Sequence, residues 1–443
     1  MTSATGRTTF LGELPAELDP PVRGDPITGE RYFSREWMDA EWRTLWTRTW
    51  HIGGMAHDLE GPGDYLVHDI GTESILMIRQ HDGSVRAFFN VCQHRGNRLA
   101  WSEVGGGNAL TCSYHGWRWG PDGQLLHVQD PEDFPQGNPC GKLRLKEVAC
   151  ELWGGFVWFN MDRNAPSVRD WLGVIGEQIE VYRPQEMRRV VCLAAEVDCN
   201  WKIVRDNFNE AYHIPSLHPE IATSIDDDHA DTVFEMYPSG HNRMVMKGGC
   251  QTARRPPFDT VQAPLDEILR FWELDPADFA GKSAETRLAL QRQRRKLAAS
   301  KGYPFFARLN DSQLTDYYHY TLFPNLTFTF WPEGVQLLRS EPHPKDPEKC
   351  IFDHWFLAHR IEGRDTVDGP MGPVVYRHVE RERLIYGQKS LGFVADQDLS
   401  IAVGQQKGLR SMGWGGGYLA YQEKRVQRFH ELLNDRVREV LGR

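Results

Sequence analysis

Apolar positions along the chain follow two different periods. In residues 34–48, Trp37, Leu45 and the Trp42/Trp46 pair fall at helical spacings behind Ser34, which predicts a helix leading into the first domain. From about residue 50 to 162 the period shortens: runs such as YLVHDI, SILMIRQ, VRAFFNV and GGFVWFNMD alternate with Gly, Pro and Asp turn signals. That is the pattern of a small all-β domain. Beyond residue 163 the pattern is mixed. A strand is expected at 188–199, an apolar-periodic stretch from Trp201 to His218, a polar segment over about 251–317 with a charged helical run at 285–300, and an antiparallel meander from LTFTFW to CIFDHWFLAHR. Helical signals close the chain at 375–390, 398–407 and 421–441. The expected architecture is therefore α+β in two domains, which suits 443 residues, more than one core usually organises. The Gly-rich stretch at 413–418 follows no strand and is expected as a loop, not a phosphate cradle.

Composition narrows the partners. A net charge of −10 without any Lys/Arg tract gives nucleic acid and anionic membranes nothing to bind. The N-terminus has no basic and apolar leader, and no run approaches the roughly eighteen apolar residues of a membrane span, so a cytoplasmic location is expected. Eight cysteines are too few for a disulfide scaffold. Cys140, Cys150, Cys192, Cys199, Cys250 and Cys350 show no metal-like spacing with histidine and read as reduced, mostly buried thiols.

The other two cysteines differ. Cys92-x-His94 and Cys112-x-x-His115 each follow a strand-like run and each stand beside a glycine, as loops bending around a ligand require. Two thiolates and two imidazoles could hold tetrahedral zinc or a [2Fe–2S] cluster in which histidine replaces cysteine on one iron. One thiolate and one imidazole per loop suits two metals bridged by sulfide better than the usual paired zinc spacing. A second constellation, Glu210-x-x-His213-x₄-His218, offers two imidazoles that with a later carboxylate would form a facial triad for Fe(II).

CQHRG and CSYHGW, with seventeen residues between His94 and Cys112, resemble the Rieske signature of ring-hydroxylating oxygenase α subunits. The resemblance extends through the Asn-Trp-Lys stretch and the His pair to an Asp followed by QQKGL. It implies a Rieske [2Fe–2S] domain over 49–162 behind an N-terminal helical segment, 1–48, that packs on the catalytic domain. It further implies a helix-grip (START-like) catalytic domain over 163–443 with an antiparallel sheet. Cys92 and Cys112 would hold the inner iron of the cluster, His94 and His115 the outer one. His213, His218 and Asp398 would hold a mononuclear Fe(II). Family trimers place each Rieske centre near the neighbour's mononuclear iron, bridged by an acidic residue at the position of Glu210. Many dioxygenases have Asp there, with one more residue between it and the Asn that corresponds to Asn207. Glu at this position occurs in relatives that oxidise quaternary ammonium compounds.

Of two carboxylates in FVADQDLSIAVGQQKGL, Asp396 is expected to cap a helix starting near 398 that buries Ile401, Ala402 and Leu409. Asp398 then shares a face with Ala402 and Gln405 and is the expected ligand. Phe208, Phe328, Phe330 and Trp331 are candidate pocket residues, and Asn207 and Phe208 are preferred for lying beside the His pair. No G-x-G-x-x-G follows a strand, so NAD(P)H would act through a separate reductase, with or without a ferredoxin. The expected function is a terminal oxygenase that uses O2 and those electrons to hydroxylate an organic, aromatic substrate, as a homotrimer with or without a β subunit. The alternative is a monooxygenase acting on a quaternary ammonium or N-/O-alkyl substrate, and a third reading is a Rieske electron carrier without enzymatic activity.

Overall fold

The computed structural model describes residues 7–370 and 372–442, which divide into two compact units. One comprises residues 39–173 with 343–345, and the other residues up to 38, 174–342 and 346 onwards. The borders between the units fall at 38/39 and 173/174. Helix α1 (Arg35–Thr44) is shared between the units, because Trp42 in its second half lies directly against Gly71, where a Cβ would collide with the indole. At the other border, Glu151 accepts from the Val168 backbone N–H at 3.0 Å and Trp171 packs edge-on to Trp158 at 5.8 Å, which keeps 163–173 with the β unit.

The first unit is built from short strands: β1 (His51–Met55), β2 (Asp64–Ile70), β3 (Glu73–Arg79), β4 (Val85–Phe89), β5 (Val104–Gly106), β6 (Leu110–Thr111), β7 (Arg118–Trp119), β8 (Leu125–His127), β9 (Glu147–Trp153) and β10 (Phe156–Asn160). They form a seven-stranded sheet in the order β1-β10-β9-β4-β3-β2-β5 and a three-stranded sheet, β8-β7-β6. Leu76, Ile78, Phe88, Trp117, Trp119 and Leu125 fill a core that also contains Cys92 and Cys112. The two thiols therefore sit at the edge of an apolar cluster, not in solvent.

The second unit carries an eight-stranded sheet. Its strands are β11 (Arg188–Val197), β12 (Val233–Met236), β13 (Asn242–Met246), β14 (Tyr317–Leu322), β15 (Leu326–Trp331), β16 (Gly334–Pro342), β17 (Cys350–Ala358) and β18 (Glu382–Ile385). The order is β12-β13-β14-β15-β16-β17-β11-β18, antiparallel except for the β11/β18 edge. The helix expected at 375–390 is thus replaced by β18, whose residues 382–385 pair in parallel with 193–196; the open sheet edge overrides the local helical pattern. Helix α5 (Lys424–Leu441) buries Val426, Phe429, Leu433 and Val437 at helical spacing, and Arg425 from its first turn donates to Asn242 and Thr321 on the sheet. This is the expected sheet closed over a long helix. Cysteines 140, 150, 192, 199, 250 and 350 are all free thiols, and four of them are buried.

Candidate metal centres

The two Cys-His loops are built alike. In each, the backbone N–H of a glycine four residues on donates to the Cys carbonyl, Gly96 to Cys92 at 3.1 Å and Gly116 to Cys112 at 3.0 Å. Each Cys N–H in turn donates to a carbonyl five residues on, at 2.8 Å in both loops. Gly96 and Gly116 have φ of +76° and +68°, a left-handed conformation that glycine adopts without penalty, which explains the glycine in each motif. Cys92 and Cys112 are buried and their thiols touch, while His94 and His115 are half-buried with ring centroids 4.6 Å apart. Trp117 stacks on His94 at 4.5 Å, and Tyr114 lies against His115. Burial pushes the Cys92 thiol up. At Cys112 burial is outweighed by donors, chiefly the Tyr114 backbone N–H and the Asn97 amide, and the thiol is lowered. The buried Nδ1 of His115 has no protein partner, so this polar atom is left for a ligand. Two buried thiols behind two outward imidazoles, one with an orphan nitrogen, fit a cluster with cysteine on its inner iron and histidine on its outer one.

The second site is assembled from two segments far apart in sequence. Asn200 caps helix α2 (Trp201–Asn207), its side chain accepting from the Lys202 N–H at 3.0 Å. The chain then turns through Glu210 into α3 (Ile214–Leu217), so that His213 and His218 flank a single helical turn. Opposite lies α4 (Phe393–Leu409), longer at its start than expected, with Gly392 and not Asp396 at its N-cap. Asp396 still secures the helix start, accepting from the Leu391 N–H at 2.8 Å and the Ser390 hydroxyl at 2.5 Å. The inward stripe of α4 is Ala395, Asp398, Leu399, Ala402, Gln406 and Leu409, a carboxylate within an apolar row. Ile401, expected inside, is 42% exposed, because it lies one residue outside that stripe. Gln406 locks the two segments together: its Oε1 accepts from the Asn200 N–H at 2.8 Å.

His213, His218 and Asp398 each bring a ligand atom within 4.8 Å of the others. Nε2 lies 3.4 Å from Asp398 Oδ1 for His213 and 2.8 Å for His218. Burial pulls His218 down, but the Asp398 carboxylate outweighs it and the net shift is upward. Nδ1 of His213 is 2.5 Å from Glu210 Oε1, and Nδ1 of His218 is 2.6 Å from Gln397 Oε1. A carboxylate or amide oxygen can only accept, so both rings carry a proton on Nδ1, which leaves Nε2, turned towards Asp398 and hydrogen-bonded to it from His218, as the nitrogen whose lone pair a metal would take. Two such lone pairs and one carboxylate are the donor set of a facial-triad iron, and the residues fit it. Glu210 and Gln397 orient the rings without sharing the triad. Gln397 is absent from the sequence-level candidates; its only signal there is adjacency to Asp398.

Residues 49–139 match the family described as Rieske [2Fe-2S] domain, and residues 183–439 match the family described as ring hydroxylating alpha subunit (catalytic domain). The chain belongs to the Rieske ring-hydroxylating oxygenase α-subunit family. It is 32% identical over 210 residues to the carnitine monooxygenase oxygenase subunit of Escherichia coli K12, covering 47% of this chain and 56% of that one. It is 35% identical over 192 residues to the large oxygenase component of the naphthalene 1,2-dioxygenase system of Pseudomonas aeruginosa, covering 41% and 42%. These alignments span about half the length of each relative. A crystal structure of a quaternary ammonium Rieske monooxygenase in complex with an inhibitor superposes with a TM-score of 0.66 at 20% identity, over 93% of this chain and 95% of that one. The family domains bring with them one Rieske cluster and one mononuclear iron.

Of the candidate pocket residues, Phe208 ends α2 and stacks on Phe352 at 5.9 Å, and with Asn207 it walls a small crevice shared with Asp398 and Gln405. Phe328 and Phe330 do not face this site. Pairing places His319 opposite Thr329, so Thr329 and Trp331 share the face of His319, which reaches the Phe208 carbonyl at 2.5 Å. Phe330 points to the opposite face and stacks on Tyr182 at 4.4 Å, and Phe328 lies on that same side. Among the described residues no helix is long and apolar enough to cross a membrane.

Proposed function

We propose that this chain is the oxygenase component of a Rieske system, taking electrons from NAD(P)H through a separate reductase, with or without a ferredoxin, and hydroxylating a small organic substrate with O2. The observation that carries the reading is the convergence of two Nδ1-anchored histidines on one buried carboxylate. A pure electron carrier has no use for such a triad. When bound, the cluster would relay single electrons and the mononuclear iron would offer open positions to O2 and substrate.

The residues have separable tasks. Cys92, His94, Cys112 and His115 would hold the cluster, and His213, His218 and Asp398 the iron. Glu210 holds the His213 proton on Nδ1, and in the family trimer its carboxylate is the one placed to couple the two centres. Phe208 and Phe352 supply apolar surface beside the triad and exclude water from it.

An aromatic substrate is the first reading. Its alternative, oxidation of a quaternary ammonium or N-/O-alkyl compound by a monooxygenase, is favoured by Glu in place of Asp at position 210. Both readings include assembly as a homotrimer, with or without a β subunit, and a cytoplasmic location. The test is O2 consumption by the iron-loaded protein with a surrogate reductase across both compound classes, with product identification. Substrate-dependent O2 uptake is expected; its absence in protein that holds all its iron would remove the reading.

A further inference from the structure

Thr329 and Gln336 face each other across β15 and β16. In the strands β14, β15 and β16, every side chain is buried except Tyr317, Thr329, Trp331 and Gln336. Register puts all four on the face that carries His319. These four partly accessible side chains make a row in the middle of the eight-stranded sheet. A cavity of about 420 Å³ runs out along its Tyr317 and Trp331 end, bordered by Tyr303, Trp272 and Glu333.

Each member of the pair is wired to a buried histidine, and each histidine to one of the two segments that carry the triad. Nε2 of His319 is 2.5 Å from the Phe208 carbonyl, at the end of α2, and its Nδ1 is 2.9 Å from Thr329 Oγ1. Nδ1 of His354 is 2.5 Å from the Leu391 carbonyl, just before α4, and its Nε2 is 2.8 Å from Gln336 Nε2. A carbonyl only accepts, so the ring nitrogen facing it carries the proton. Burial lowers both histidines and keeps them neutral, which makes the other nitrogen an acceptor. The Thr329 hydroxyl and one Gln336 amide hydrogen are therefore spent on histidine. What remains on this face is two acceptors, Thr329 Oγ1 and Gln336 Oε1, against one donor, the second Gln336 amide hydrogen, in a row completed by the Tyr317 and Trp331 rings.

We propose that Thr329 and Gln336 are the polar anchor of the substrate cleft, accepting hydrogen bonds from an N–H or O–H group on a largely apolar, ring-containing substrate. Because His319 and His354 tie the same pair to the two triad-bearing segments, the anchor also sets the depth at which such a substrate sits. The inference rests on the oxygenase reading for the identity of the cleft and names the substrate class within it.

The test is binding, not turnover. Ligand-observed NMR on the iron-loaded protein compares size-matched pairs that differ in one donor: indole with benzothiophene, and aniline with toluene. The wild type should hold the donor-bearing member at least about tenfold more tightly. Thr329→Val and Gln336→Leu should each weaken that member about tenfold and leave its donor-free twin unchanged, and Thr329→Ser should restore the preference. A merely structural role would weaken both members equally. Equal weakening, no preference in the wild type, or no binding of either pair by protein that retains its iron overturns the anchor alone. Protein without the iron overturns the oxygenase reading instead.

Discussion

Replacing Glu210 by Gln removes a charge while keeping the shape of the side chain. The carboxylate accepts from the backbone N–H groups of Tyr212 and His213, and it faces His213 Nδ1 at 2.5 Å. A hydrogen bond to an ionised group contributes about 1.5–3 kcal/mol, and one between neutral groups about 0.5–1.5 kcal/mol. The amide oxygen can still accept, so the loss is about 1–1.5 kcal/mol, or about tenfold in the affinity of the triad for iron. That lies at the mild end of what residues orienting metal ligands contribute. Titrating Fe(II) into metal-depleted variant and wild type, with bound iron and O2 uptake measured on the same samples, separates the possible roles. The expected result is a roughly tenfold weaker but saturable mononuclear site, an unaltered Rieske absorbance, and turnover that stays more than tenfold low even at saturation, as the coupling role proposed for the same carboxylate requires. A variant that binds no mononuclear iron at any concentration would make Glu210 a ligand. An unchanged affinity would show that the Glu210–His213 contact orients nothing.

Asp398→Ala should keep the Rieske absorbance, lose about one iron per chain and lose activity, whereas Asp396→Ala should keep its iron and lower stability by about 1 kcal/mol in thermal unfolding. His94→Cys or His115→Cys should lower the cluster potential in a redox titration, since thiolate donation favours Fe(III). Stability should also fall in mild acid. Burial, with Arg31 and Arg205 nearby, holds His430 down at about 4 against the pull of Asp206, from an ordinary 6.5. Between those values the unfolded chain binds a proton that the folded one does not, so stability drops as pH falls from 6.5 towards 4, by up to about 3 kcal/mol. Chemical denaturation at several pH values should show that slope, and His430→Gln should flatten it.

The two matching loops were legible because their pattern is local: two short motifs carry the Cys-His pairs and the glycines that turn the chain. The triad was legible only in part. His213 and His218 stand five residues apart, but Asp398 lies 180 residues beyond His218 and was picked out by the helix pattern and the family resemblance together. Gln397 escaped because neighbours on a helix point in different directions; His218 lies between the two and takes one contact from each. The Thr-Phe alternation of LTFTFW fixes that two faces exist, not which one carries the site. Both faces of the sheet are covered, so the phenylalanines mark packing on Tyr182 while threonine faces the cleft. The strand at 382–385 was read as helical because its partner, residues 193–196, lies nearly two hundred residues away and no local pattern records it.

Metal and sulfide analysis of the purified protein tests the central claim most directly. A Rieske cluster and a triad-bound iron together predict brown protein with about three irons and two acid-labile sulfides per chain. Two irons with two sulfides would leave only an electron carrier, and a colourless protein containing zinc would contradict both metal assignments.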